Sequence, residues 1–303
     1  MSQHHRFGPM QDALPSEFPD TQLAKDDRSI GEIIKEANSL SPDQIEQILS
    51  YQREHGVKFG EAAVALGLAN TDDVLWALAQ QFHYPYASEG RTLLSQDLVV
   101  ATRPFSEQAE SFRAIRSHIN MRLQNEASPR PAVAILSANS GDGKSFFAAN
   151  LAAAFAQLPG RTLLIDADLR NPRLHEIFNI PPRSEGLSAI LSGRAATKVI
   201  QSVKAFPNLF VMPVGIKPPN PLELLERPAL DLLLKELRVR FDRVIVDTPA
   251  TAQGMDGPVI AAKCGAALII ARQDHTRVQD IQQIAREVSM SSAKLIGTIV
   301  NEF

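Results

Sequence analysis

Cysteine is almost missing from this chain: Cys264 stands alone among 303 residues, beside one tryptophan and three tyrosines. A lone thiol excludes an internal disulfide and any zinc site built on paired cysteines, and it fits a reducing compartment. No apolar run reaches the ~18–20 residues a membrane span needs, and the polar start has no apolar core of the signal-peptide kind. Those two absences predict a cytoplasmic protein that meets a membrane only through a partner. Excess positive charge is missing too. Lys and Arg number 31 against 34 Asp and Glu, which argues against a uniformly basic nucleic-acid binder. What is present is an ordinary globular composition, 44% hydrophobic and 21% charged, long enough for about two domains. The charge is uneven: residues 1–90 carry 6 basic and 14 acidic side chains, residues 91–303 carry 25 and 20.

Residues 1–27 are polar, contain Pro9, Pro15 and Pro19, and show no sustained periodicity, so a flexible tail is expected there. From residue 28 the chain repeats itself at an offset of 29. Ile30-Gly31-Glu32 recurs as Phe59-Gly60-Glu61, and Ile45, Leu49 and Gln52 recur as Val74, Leu78 and Gln81. Each unit reads as a short helix, a turn and a second helix opened by Ser41-Pro42-Asp43 or Asn70-Thr71-Asp72, residues that cap a helix start. Two such units can bury their apolar faces on each other, which predicts a small all-α helical-repeat domain over 28–87. This repeat resembles the N-terminal domain of type II secretion ATPases (the GspE/MshE type), some of which bind cyclic di-GMP. That family's motif places a basic residue two before a glycine and a second glycine seven after it. Lys58, Gly60 and Gly67 match, whereas Ser29 and Asn38 stand at the equivalent places of the first unit. Protein docking is therefore the expected role, with cyclic di-GMP binding the alternative.

Residues 88–104 read as an irregular linker. Beyond it, Phe112, Ile115, Ile119 and Leu123 form a helical stripe, with Glu110, Arg113 and Arg116 on another face. From Pro131, near-continuous apolar strands alternate with helices, the pattern of a parallel sheet covered on both faces. The expected fold of 105–303 is a doubly wound, mostly parallel α/β domain.

Chemistry gathers at the ends of three of those strands. Ala138-Asn139-Ser140-Gly141-Asp142-Gly143-Lys144-Ser145 is a phosphate-binding loop between a strand and a helix. Its glycines let backbone N–H groups turn inward around phosphates, Lys144 reaches the β/γ-phosphates, and the Ser145 hydroxyl takes a place on Mg²⁺. Ser140 through Phe146 are the expected nucleotide contacts. The strict pattern has glycine where this chain has Ala138. A second strand ends in Asp166-Ala167-Asp168-Leu169-Arg170, and a third in Asp247-Thr248-Pro249. Carboxylates beside a phosphate loop can hold Mg²⁺ and accept a proton from an attacking hydroxyl. Asp166 and Asp247 are the expected metal ligands with Ser145. Asp166 is the expected base and Asp168 its support, although Asp168 and Arg170 could instead form a surface ion pair.

ATPases of the ParA/MinD type carry a further lysine five residues before the loop lysine; here that position is Asn139, which disfavours that subtype. Glu110, Arg113 and Arg116 match the Glu-x-x-Arg-x-x-Arg oligomerisation motif of bacterial tyrosine kinases, and Gly186–Gly193 and Pro218–Leu225 resemble two other stretches of them. With the helical repeat in front, residues 28–303 resemble the EpsG-type chain-length determinant tyrosine kinases of exopolysaccharide operons. The resemblance implies a kinase using ATP and Mg²⁺, a homo-oligomer packed through Glu110, Arg113 and Arg116, and a separate membrane-embedded chain-length regulator as partner. It also implies that Asn301 contacts adenine; capping the strand end is the plainer role. Most such kinases end in a tyrosine cluster, but here Thr298–Phe303 has none, and the three tyrosines are Tyr51, Tyr84 and Tyr86. An ATP-switched scaffold without kinase activity is therefore the main rival.

Overall fold

A computed structural model describes residues 29–81, 95–124, 129–181, 184–194 and 199–302. The expected flexible tail, Tyr84 and Tyr86 lie outside them. The described residues fall into two compact units, 29–81 and 95–302.

The first unit has four helices: α1 (Ile30–Ala37), α2 (Pro42–His55), α3 (Phe59–Ala65) and α4 (Thr71–Gln81). The repeat read from the residues corresponds to two helix–turn–helix units that pack across each other, α1 on α4 and α2 on α3. Ser29 and Ser41 each close a capping box with the residue three further on, Glu32 and Gln44, which satisfies N–H groups that have no partner inside the helix. Gly56 ends α2 in the left-handed conformation. The core is Ile33, Ile34, Leu40, Ile48, Ala62, Ala63 and Ala77. Gly60 has a packing reason of its own: a Cβ there would meet Val74 Cγ1 at 2.6 Å.

The second unit opens with two helices, α5 (Val99–Thr102) and α6 (Glu107–Leu123). The presumed linker is thus partly folded, with Leu98 through Ala101 buried. Seven strands follow: β1 (Ala132–Ser137), β2 (Thr162–Asp166), β3 (Gln201–Val203), β4 (Phe206–Met212), β5 (Arg243–Asp247), β6 (Gly265–Arg272) and β7 (Lys294–Asn301). Their order is β3-β4-β2-β5-β1-β6-β7. Every pairing is parallel except β3 with β4, so the doubly wound sheet is as expected. β1 and β2 are buried along their whole length, which is why they read as unbroken apolar runs.

Helix α7 (Lys144–Ala156) leads away from β1 and is buried at eleven of its thirteen positions. A helix apolar all round belongs in an interior; α7 packs against the sheet and is covered by α6. Its run of alanines lets it lie close to both. The remaining helices are α8 (Leu174–Ile177), α9 (Leu187–Leu191), α10 (Pro221–Glu226), α11 (Pro228–Arg240), α12 (Asp256–Cys264) and α13 (Val278–Ser289). β1 lies between β5 and β6, and the chain leaves it toward opposite halves of the sheet. The carboxyl ends of β1, β2 and β5 therefore meet at the switch point where parallel α/β sheets place ligands.

Candidate functional site

The loop between β1 and α7 turns on two glycines in the left-handed region, Gly141 at φ +90° and Gly143 at φ +93°, a conformation that costs L side chains energy. Lys144, the first residue of α7, is buried, and its Nζ donates to Ser137 Oγ at 3.0 Å. Ser137 Oγ donates in turn to the Asn139 carbonyl at 2.9 Å. The lysine therefore spans the loop from below, where it can meet phosphate oxygens lying against the N–H groups.

Asp142 behaves differently from its neighbours. Its carboxylate is buried and turned into the protein, accepting the Asn139 N–H at 2.8 Å and the Thr276 hydroxyl at 3.1 Å. His275 Nδ1 stands 3.7 Å away. Asp142 thus fastens the loop to the segment after β6, so that any nucleotide contact it makes is through its backbone. Asn301, at the end of β7, donates to the Asp142 carbonyl at 3.4 Å, a third tie on the same loop.

Asp166 and Asp247 are register partners on β2 and β5, and both are fully buried. Asp166 has its oxygens occupied: one accepts the Asp168 N–H at 3.2 Å, the other the Leu174 N–H at 3.1 Å. Burial pushes its pKa well up, with the nearby Asp247 carboxyl adding to the effect. Asp168 accepts the N–H groups of Arg170 and Asn171, yet it also lines the open cleft. The two aspartates are placed differently: Asp166 is fully buried and Asp168 lines the cleft. Asp166 braces the turn from beneath, and Asp168 is the carboxylate that faces the cleft. Arg170 does not pair with Asp168 either; its guanidinium grips the buried Asp256 of α12, with Nη2 at 2.9 Å from Oδ2.

Asp247 is the exception to satisfied burial. Neither of its oxygens has a partner at full hydrogen-bond geometry, although the Ser145 hydroxyl and the Thr248 N–H stand close enough to favour its charged form. Burial raises its pKa from 3.8 to about 6, opposed by the neighbouring Lys144 ammonium and Ser145 hydroxyl. A buried carboxylate left unsatisfied is costly, and this one lies beside the serine and lysine of a phosphate loop. Among the described residues no cluster of three or more His, Cys, Asp or Glu side chains makes a cage for a metal. Ser145 and Asp247 fit Mg²⁺ in its usual mode, one or two protein oxygens completed by phosphates and water.

These groups meet a cleft of about 670 Å³ lined by Ser140, Gly141, Gly143 through Phe146, Asp168, Asn171, Arg173, Asp97, Arg103 and Lys217, among others. Its wall from Gln96 to Arg103 is held by Asn150, which the sequence reading passed over. This buried side chain of α7 donates to the carbonyls of Asp97 (2.7 Å) and Phe146 (2.9 Å) and accepts the Val100 N–H at 3.1 Å. An amide alone inside an otherwise apolar helix was the available signal.

On α6, Glu110 is exposed and pairs with Arg113 at 2.8 Å. Arg113 also donates to the Pro104 carbonyl, and Arg116 donates to the Ala154 carbonyl at 2.7 Å. Both arginines anchor α6 to its own unit, leaving Glu110 as the member of the triplet presented to solvent.

Residues 133–303 match the family model of the CobQ/CobB/MinD/ParA nucleotide binding domain. Two hundred residues of the chain are 31% identical to the tyrosine-protein kinase CpsD of Streptococcus agalactiae, covering 66% of this chain and 86% of that one. The chain belongs to the bacterial tyrosine kinases of this nucleotide-binding family. The tyrosine-protein kinase ptk of Acinetobacter johnsonii is 34% identical over 194 residues, 64% of this chain. This chain spans about a quarter (26%) of that kinase's length. Among solved structures, the chimerical protein CapA2B2 superposes with a TM-score of 0.62 at 32% identity, covering 68% of this chain and 90% of that one. The family's P-loop domain is thus the second unit, and the strand-end carboxylates lie in its nucleotide-binding face. No helix among the described residues is long and apolar enough to cross a membrane.

Proposed function

We propose that the chain is an ATP- and Mg²⁺-dependent protein tyrosine kinase that acts on the length and export of an exopolysaccharide together with a membrane-embedded regulator supplied as a separate chain. The observation that carries the chemistry is Asp247: a fully buried carboxylate beside the Lys144 ammonium and the Ser145 hydroxyl. Ser145 and Asp247 would hold the metal, which supplies charge neutralisation on the phosphates. Lys144 and the N–H groups of Gly141 through Ser145 orient the triphosphate, Lys144 stabilising charge that grows on the transferring group. Asp168, facing the cleft, accepts the proton of the attacking hydroxyl. Asp166 positions it by accepting its N–H. Phosphoryl transfer asks for little more than such positioning and electrostatics.

The polysaccharide role and the membrane partner rest on the resemblance of residues 28–303 to chain-length kinases. The likeness to the CapA2B2 chimera is in keeping with a partner in trans. A homo-oligomer packed through the Glu110 face of α6 belongs to the same reading, with the two arginines shaping that face from within. Nucleic acid has no part in it. For the helical unit we favour protein docking over cyclic di-GMP, since Gly60 is explained by its contact with Val74.

One observation favours the scaffold rival. The α/β unit contains no tyrosine, and Tyr51 of the helical unit is half-buried, stacked on His55 at 3.9 Å. Incubating the protein with Mg·ATP and the cytoplasmic segment of its partner, then mapping phosphotyrosine by mass spectrometry, decides. Phosphate on tyrosine of either chain supports the kinase; ATP hydrolysis with no phosphotyrosine leaves the scaffold.

A further inference from the structure

Four cations line the cleft, Lys144, Arg173, Arg103 and Lys217, beside the carboxylates Asp97 and Asp168. Of its cations, Lys144 faces Asp247, and Arg173 meets Asp97 at 3.4 Å. Arg103 and Lys217 line the same cleft from different elements, Arg103 at the end of α5 and Lys217 in the loop after β4. Both are exposed, and neither has an ion-pair partner among the described residues. These two exposed cations, from separate elements, line the same cleft as Asp168, the carboxylate that would meet an acceptor hydroxyl, and so form a positive collar on that cleft. Low-dielectric walls concentrate such a field.

We infer that Arg103 and Lys217 select an acidic acceptor: a tyrosine-bearing peptide with Asp or Glu flanking the tyrosine. The assignment deepens the kinase reading and rests on it for the identity of the acceptor. The wall carrying Arg103 is not loose, because Asn150 fixes its backbone at Asp97 and Val100. Placing the collar costs the peptide little ordering of the protein, and a rigid cation exposed to water until the ligand arrives favours selectivity over raw affinity.

The test is binding, measured apart from transfer. Fluorescence anisotropy of the full chain, saturated with Mg²⁺ and a non-hydrolysable ATP analogue, would compare a tyrosine peptide flanked by glutamates with the same peptide carrying glutamines. The expected result is about ten-fold tighter binding of the acidic peptide, weakening as salt rises, and lost in Arg103→Glu and Lys217→Glu. Equal binding of the two peptides overturns the assignment. So does a preference that survives both substitutions, or a matching loss of nucleotide-analogue affinity, which would give these cations to the triphosphate. An acidic peptide that binds as expected yet is never phosphorylated leaves the collar standing and sinks the kinase reading instead.

Discussion

The two units of this chain handle polarity in opposite ways. Among the described residues of the helical unit the buried side chains are Ala, Ile, Leu and Trp76, and polar groups serve at helix ends as caps. In the α/β unit the described residues bury Ser137, Asp142, Lys144, Asn150, Thr162, Asp166, Asp168, Ser188, Asp247, Thr248 and Asp256. Burying such groups is expensive unless each is paired. Most are paired, and their partners trace one assembly: the phosphate loop, its tie to the segment after β6, the brace under Asp168 and the Arg170–Asp256 latch. Asp247 is held instead by its neighbours Lys144 and Ser145. The difference teaches that the second unit holds costly groups for chemistry, whereas the first is built for packing.

The sharpest way to break that comparison is Lys144→Met. ATP turnover should fall by at least ~10²-fold, with far-UV circular dichroism and the thermal transition retained; a fully active variant ends the proposed chemistry. Next comes the latch. Asp256→Ala strands the Arg170 guanidinium, which is about one-third exposed, so the cost should be near ~2 kcal/mol rather than the ~3–5 kcal/mol of a fully buried pair. In urea the α/β unit should unfold earlier, while the helical unit, expressed alone as residues 28–87, supplies the unaffected reference transition.

A pH series sharpens the contrast further. The folded-state pKa of Asp247 lies above its unfolded value, 3.8 to about 6. Its contribution to the stability of the nucleotide-free protein is therefore fully present below pH 3.8 and is lost as pH rises through about 6. Thermal melting from pH 4 to 7 should show this loss, and Asp247→Asn should reduce it, leaving the part that belongs to the raised Asp166. Because Mg²⁺ needs the ionised carboxylate, metal affinity should move the other way, weakening about ten-fold from pH 7 to 5. An affinity independent of pH over that range would place the metal elsewhere. The smallest effect belongs to the helical unit. Gly60→Ala, which drives a Cβ toward Val74, should destabilise it by ~1–2 kcal/mol, with ATP turnover untouched and Val74→Ala restoring part of the loss. Recovery of nothing by Val74→Ala would mean Gly60 serves something other than packing.

Much of the fold could be read from residues because its signals are local. Six of the seven strands and the doubled helical hairpin follow from apolar periodicity and cap residues. Apolar runs mark these strands but stop short of their ends at Ser137, Asp166, Asp247 and Asn301, where a polar side chain begins. β3 went unread because Gln201-Ser202-Val203 is short and half polar, and pairs only because β4 turns back beside it.

Residue order alone was enough for the phosphate loop, the two carboxylate-bearing strand ends and the repeat, because each is a motif of close neighbours whose backbone geometry is dictated by those neighbours. The folded chain was needed to show that Arg170 grips Asp256 across 86 positions, that Asp142 turns inward, that Asp168 rather than Asp166 faces the cleft, and that Arg103 and Lys217 share one wall. Those pairings depend on which distant elements the sheet order brings side by side, and only packing of the whole unit settles that.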